Sequence, residues 1–189
     1  NDITRLCNEV DKPLNFEMAA TDEMLEIALG HVPHAACIVP EKREERTTEG
    51  GLNVVSGHNR LMPYVDVLVK AGIRVSVFIE PDIGQLDGAK ALGAPVVELH
   101  VGAYCDSTGA DQEREFARIV AAAAHAEKIG LECHAGHGLT FDTVAPVAAI
   151  QTIAELNIGH FLIGEAIFIG LEDSIHSMRR LMDEARASA

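Results

Sequence analysis

The feature that most constrains this chain is a recurring unit. An amphipathic stretch ends at a glycine, and an apolar run of strand length follows within a few residues. Gly30 precedes residues 34–40 (HAACIVP), Gly72 precedes 75–80 (VSVFIE), Gly93 precedes 96–101 (VVELHV) and Gly130 precedes 131–136 (LECHAG). Glycine just past a helix end takes the left-handed conformation cheaply, so each reads as a helix C-cap. Each run is mostly apolar on both faces, as in a parallel strand covered on both sides. Helix alternating with buried strand through short links is the α/β pattern.

Counting such runs gives six strands, at 14–19, 34–39, 75–80, 96–101, 131–136 and 155–159, with residues 161–168 read as a short extra helix. Helices are expected over 110–129, with Phe116, Ile119, Val120 and Ala123 on one face, and over 172–187, with Ile175, Met178, Leu181, Met182 and Ala185 on one stripe. Thr21 and Asp82 stand where N-caps belong. Six parallel strands fit either an open doubly wound sheet or a (β/α)8 barrel of which two units are not in the chain. Residues 2–10 already carry a helical pattern (Ile3, Leu6, Cys7, Val10), and the chain opens at Asn1 without methionine. Both points lead us to expect further residues upstream and favour the barrel. The whole chain, 1–189, then reads as a single, N-terminally incomplete domain.

Composition narrows the function. With 189 residues, 48% of them hydrophobic, the chain has enough for one core and too little for two domains. Without tryptophan, and with only 4% aromatics, that core must be aliphatic. A net charge of -14 argues against a nucleic-acid partner, which needs a basic face. Cys7, Cys37, Cys105 and Cys133 form no CxxC pair and read as reduced thiols. No signal segment and no apolar run of roughly 18 residues is visible, so a cytoplasmic protein without a membrane partner is expected.

In parallel α/β folds ligands gather at the carboxyl ends of the strands. The first strand brings Asn15 and Glu17 there, the fourth Glu98 and His100, the fifth His134 and His137, and the sixth Gly159 and His160. Glu98 lies mid-strand, where burial is expected. A carboxylate there must be paired or functional, and its surroundings would shift its pKa. The same logic applies to Glu17. His137 sits between Gly136 and Gly138, where the backbone can approach a phosphate and an imidazole can move protons. The segment 155–166 (ELNIGHFLIGEA) reads as a strand followed by a short helix with its N-terminus at a phosphate. The long polar loop 41–54, with Gly50 and Gly51, reads as a lid or binding loop. His31-x-x-His34 and His134-x-x-His137 have superficial metal spacing. The first straddles a link at the far end, and in the second the two residues point to opposite faces, so no metal site is expected.

Several strings together are specific. LNFEMAAT, CIVPEKREERTTEGGLNV, VVELHVGAY, HAGHGLT and ELNIGHFLIGEAIFIGL resemble the pyridoxine 5′-phosphate synthase family from residue 1 to the last helix. The resemblance implies a TIM (β/α)8 barrel with extra helices, of which about six β/α units are present here, assembled as a homo-octamer. It implies condensation of 3-amino-2-oxopropyl phosphate with 1-deoxy-D-xylulose 5-phosphate to pyridoxine 5′-phosphate, inorganic phosphate and water, with no cofactor. Carried over by motif, Glu17 matches a general base, His137 a general acid and Glu98 the carboxylate that stabilises the transition state. Thr47 matches a deoxyxylulose phosphate contact. Gly138, Gly159 and His160 match the aminooxopropyl phosphate site. The family's first two strands, with an Asn-x-Asp-His segment, a histidine base and phosphate-gripping arginines, have no counterpart here, and His34, His58 and Arg60 do not replace them by position. Two other readings stand beside this one: a non-catalytic barrel fragment, and a metal-dependent barrel lyase or isomerase.

Overall fold

The computed structural model describes residues 2–45 and 50–189. Strand and helix alternate in it: α1 (Asp2–Glu9), β1 (Asn15–Met18), α2 (Asp22–His31), β2 (Ala35–Ile38), a 3-10 turn (Arg43–Glu45), α3 (His58–Lys70), β3 (Arg74–Ile79), α4 (Ile83–Leu92), β4 (Val96–His100), α5 (Gly102–Asp106), α6 (Gly109–Lys128), β5 (Glu132–Gly136), α7 (Val144–Ala148), β6 (Ile153–Asn157), α8 (His160–Ile169) and α9 (Leu171–Ala187). The strands lie in one sheet in chain order, and β1·β2, β2·β3 and β5·β6 pair in parallel. The expected α/β alternation is therefore present. The chain divides into two compact units, Asn1–Glu98 and Leu99–Ala189.

In the first unit, β2 (AACI) is buried at every position, as a strand covered on both faces must be. Met18, Ile38, Leu61, Leu68, Ile79 and Leu86 fill the aliphatic core. Thr21 Oγ1 accepts from Met24 N–H at 3.3 Å and Asp82 Oδ1 from Gln85 N–H at 3.0 Å, so both expected caps form. Gly93 ends α4 at φ +84 as anticipated. Gly30 does not end α2. The helix runs one residue further, and Val32 takes the left-handed cap at φ +46. Pro33 stops the helix whatever the glycine prefers.

In the second unit Leu99, Ile119, Leu139 and Ile153 anchor the core. The expected faces of the two long helices hold only in part. Val120 and Ile175 are exposed, and the buried residues of α6 are Ile119, Ala122, Ala123 and Ala126. β6 begins two residues before the expected 155. Ile153 is fully buried, and Arg186 of α9 donates to the carbonyls of Ile150 and Ile153, which fixes the strand's entry. α8 forms where the short extra helix was expected, but none of its residues is buried, and Ile167 and Phe168 are over 80% exposed.

Candidate active site

In the first unit, parallel register sets one row of side chains. Glu17 of β1 stands opposite Cys37 of β2, and Cys37 opposite Ser76 of β3. Cys37 Sγ donates to Glu98 Oε2 at 3.7 Å, and both residues are buried. Burial pushes the Cys37 thiol well above its usual value, and the charges of Glu98 and Glu17 push it further. A hydrogen bond with Ser76 opposes this without outweighing it, and the thiol stays protonated and donates to Glu98. The burial expected of Glu98 is present. That expected of Glu17 is not: the residue is exposed.

The same unit holds the root of the long loop. Gly51 N–H donates to Glu80 Oε1 at 2.7 Å, Leu52 N–H to the Phe78 carbonyl at 2.8 Å, and Val54 N–H to Gln85 Oε1 at 2.9 Å. On the other side Glu45 Oε2 accepts from Glu41 and Lys42 N–H, while Oε1 pairs with Arg60 at 3.0 Å. Both ends of the loop are thus tied to the strand-and-helix frame. Thr47, the expected phosphate contact, lies outside the described residues.

In the second unit β5 delivers His137 on a tight turn. His137 has φ +71 and Gly138 φ +93. For a residue with a Cβ the left-handed region costs roughly 1–2 kcal/mol, and the exposed imidazole is held out on this strained backbone. Gly138 leaves little room for a side chain, since a Cβ would stand 3.1 Å from Cys105 Cβ and 3.3 Å from Gly102 Cα. Leu139 then dives into the core, and Thr140 N–H caps back onto Thr143 Oγ1 at 2.9 Å. Phe141 packs edge-on against Phe161 with ring centroids 4.8 Å apart. That pair joins the His137–Gly138 turn to the start of α8, where Gly159 and His160 are exposed and no side chain caps the first turn. Helix N–H groups left open in this way suit an anion. The His100 and His137 rings lie 4.8 Å apart. His134 is buried, with Nε2 2.8 Å from Glu132 Oε1 and Nδ1 3.4 Å from Glu155 Oε1. Among the described residues no group of three or more His, Cys, Asp or Glu is placed to hold a metal ion.

The sequence pattern singled out Glu17, Glu98, His137, Gly138, Gly159 and His160 but missed their supports: Cys37 beneath Glu98, Glu80 beneath Gly51, and the Phe141–Phe161 pair. Only a contact between distant segments reveals these. Cys37 alone carried a signal, being a polar atom in a wholly buried strand.

Parallel strands alternating with helices, with carboxyl groups on the strands of one unit and imidazoles at the strand ends of the other, are the makings of an α/β enzyme. The chain belongs to the family described as pyridoxal phosphate biosynthesis protein PdxJ, which it matches over residues 1–184. It is 69% identical over 185 residues to the pyridoxine 5′-phosphate synthase of Rhodospirillum rubrum, covering 97% of this chain and 74% of that protein. The corresponding protein of Zymomonas mobilis is 60% identical over 187 residues, covering 99% and 73%. The chain is thus an enzyme of vitamin B6 biosynthesis, a pyridoxine 5′-phosphate synthase. Among solved structures, an HpcH/Hpal aldolase/citrate lyase family protein from Burkholderia cenocepacia aligns with TM-score 0.56 at 13% identity, over 98% of this chain and 82% of that one. A xylose isomerase domain protein from Planctomyces limnophilus aligns with TM-score 0.55 at 13% identity, over 89% and 71%. At such identities the likeness is one of fold alone. No described helix is long and apolar enough to cross a membrane.

Proposed function

We propose that the enzyme joins 3-amino-2-oxopropyl phosphate to 1-deoxy-D-xylulose 5-phosphate, releasing inorganic phosphate and water as the pyridine ring closes. The amine attacks a ketone, water and one phosphate leave, and a carbon–carbon bond completes the ring. Each step moves protons, so a base and an acid must serve in turn. Glu17 takes the role of general base, His137 that of general acid, and Glu98 stabilises the charge that develops. Gly138, Gly159 and His160 hold the aminooxopropyl phosphate, and Thr47 contacts the deoxyxylulose phosphate. We further propose that these units belong to a single (β/α)8-barrel domain, and that the enzyme works in the cytoplasm as a homo-octamer.

One observation carries this reading. The His137–Gly138 turn presents an exposed imidazole on a left-handed backbone, and the Phe141–Phe161 pair ties it to the open first turn of α8. Strain kept at such a spot fits a functional side chain better than a surface ornament. The test is product formation by Glu17→Gln and His137→Asn enzymes whose far-UV circular dichroism matches the parent. Both should lose pyridoxine 5′-phosphate synthesis. Near-normal turnover in either variant refutes that residue's role.

A further inference from the structure

We infer that His100 is a positioning residue for His137: its buried imidazole, packed against the His137 ring over Gly102, sets the orientation in which His137 meets the substrate. The inference rests on the reading of His137 as the general acid.

Val101 N–H donates to the Gly136 carbonyl at 3.0 Å. His100 precedes one partner of that bond and His137 follows the other, so the bond brings the ends of β4 and β5 level and faces the two histidines together. The left-handed turn decides where the Cα of His137 stands, and contacts of the side chain itself decide χ1 and χ2. A ring contact can settle them. The His100 and His137 centroids are 4.8 Å apart with planes tilted by 52°, within the range of a packed aromatic pair. His100 is only 7% exposed and so is the fixed member.

Gly102 is the independent sign that this contact is built in. A Cβ there would stand 2.8 Å from His100 Nε2, 3.2 Å from His100 Cε1 and 3.2 Å from His137 Cδ2. One residue without a side chain leaves room for both rings at once. Gly102 lies outside the left-handed region, so backbone freedom does not explain it. The space it leaves does.

The experiment is steady-state kinetics on His100→Ala, His100→Phe, His137→Asn and the His100→Ala/His137→Asn pair. A group that orients an acid acts on kcat, and small misplacement is worth up to about 100-fold. His100→Ala should lower kcat roughly 10- to 100-fold with KM little changed. His100→Phe, which keeps a flat ring, should recover most of that loss. The double variant should be no slower than His137→Asn alone, because His100 acts only through His137. Turnover within twofold of the parent in His100→Ala overturns the proposal, as do losses that multiply in the double variant. Failure of phenylalanine to rescue overturns it in favour of a direct proton role for His100. If His100→Ala does not fold, Gly102→Ala takes its place: it leaves both imidazoles present and should slow the enzyme by pushing them apart. If His137→Asn keeps its activity, the general-acid reading has failed by itself. The ring contact is then read separately, from the His137 Cε1–H proton resonance. It should shift when His100 becomes alanine, and an unmoved resonance refutes the contact.

Discussion

Gly51→Ala would test whether the root of the long loop is pressed against the sheet. A Cβ at Gly51 would lie 2.6 Å from the Glu80 backbone nitrogen, 2.8 Å from the Ile79 carbonyl carbon and 3.1 Å from Glu80 Oε1. Two of these are main-chain atoms at the end of β3 and cannot swing aside as a side-chain tip can. Overpacking of this kind costs roughly 1–3 kcal/mol. Relieving it means lifting Gly51 away, which stretches its 2.7 Å bond to the buried Glu80 carboxyl and loses about 1 kcal/mol more. A loss of about 2–4 kcal/mol follows. In a chain of this size that lowers Tm by roughly 5–15 °C. Gly30→Ala is the control. It sits inside α2 with nothing within 4 Å of its Cβ position, so alanine should raise stability by roughly 0.5–1 kcal/mol through helix propensity alone. Thermal unfolding followed by circular dichroism reads both. If Gly51→Ala unfolds at the parent temperature, or if the two substitutions move Tm the same way, the loop root is not packed as described.

Partial burial pushes the Glu45 carboxyl up, but the N–H groups of Glu41 and Lys42 and the charge of Arg60 outweigh it and hold it below its ordinary 4.5. Its contribution is therefore present above about pH 4.5 and fades as the pH falls through the lower folded value. Denaturant unfolding from pH 6 to pH 3 should show Glu45→Gln less stable at pH 6 and converging on the parent at the acid end. The thiols should separate by burial. Cys7 is exposed, whereas burial pushes Cys105 up to about 11 and Cys133 up to about 12, and Cys37 is likewise raised. At pH 8 a maleimide should label Cys7 first and should reach Cys37 and Cys133 only in denaturant, as counted by intact mass. Asp82→Ala removes the cap that accepts from Gln85 N–H and should lower stability by about 1 kcal/mol in the same thermal assay.

The alternation of helix and strand is legible because the buried strands are mostly apolar and the long helices carry a stripe, both local properties. The caps at Thr21 and Asp82 are legible for the same reason. Gly30 misleads because Pro33, three residues on, stops the helix more firmly than a glycine invites it to stop. β6 starts early because an arginine more than thirty residues downstream grips its entry, a contact with no local trace. Within the site, Glu98 stands out as a carboxyl group in an apolar strand and His137 as a histidine between glycines. The exposure of Glu17 depends on what packs over the strand from elsewhere, and no reading of four residues contains that. The thiol beneath Glu98 and the second imidazole beside His137 come from pairing partners far along the chain, so their residues are visible in the sequence and their contacts are not.

The chain-order sheet also bears on how the protein is made. Strand β2 pairs with β1 and β3 with β2, and β6 pairs with β5. During translation each of these strands finds its partner already synthesised, a few tens of residues behind it. No such pairing waits for a distant segment, so loop-closure entropy stays small at every addition and unpaired edges are short-lived. Ribosome-bound chains cut off after β3 should already protect the amides of β1 and β2 from exchange, so that the strand carrying Glu17 and the one carrying Cys37 are joined before His100 and His137 have been translated.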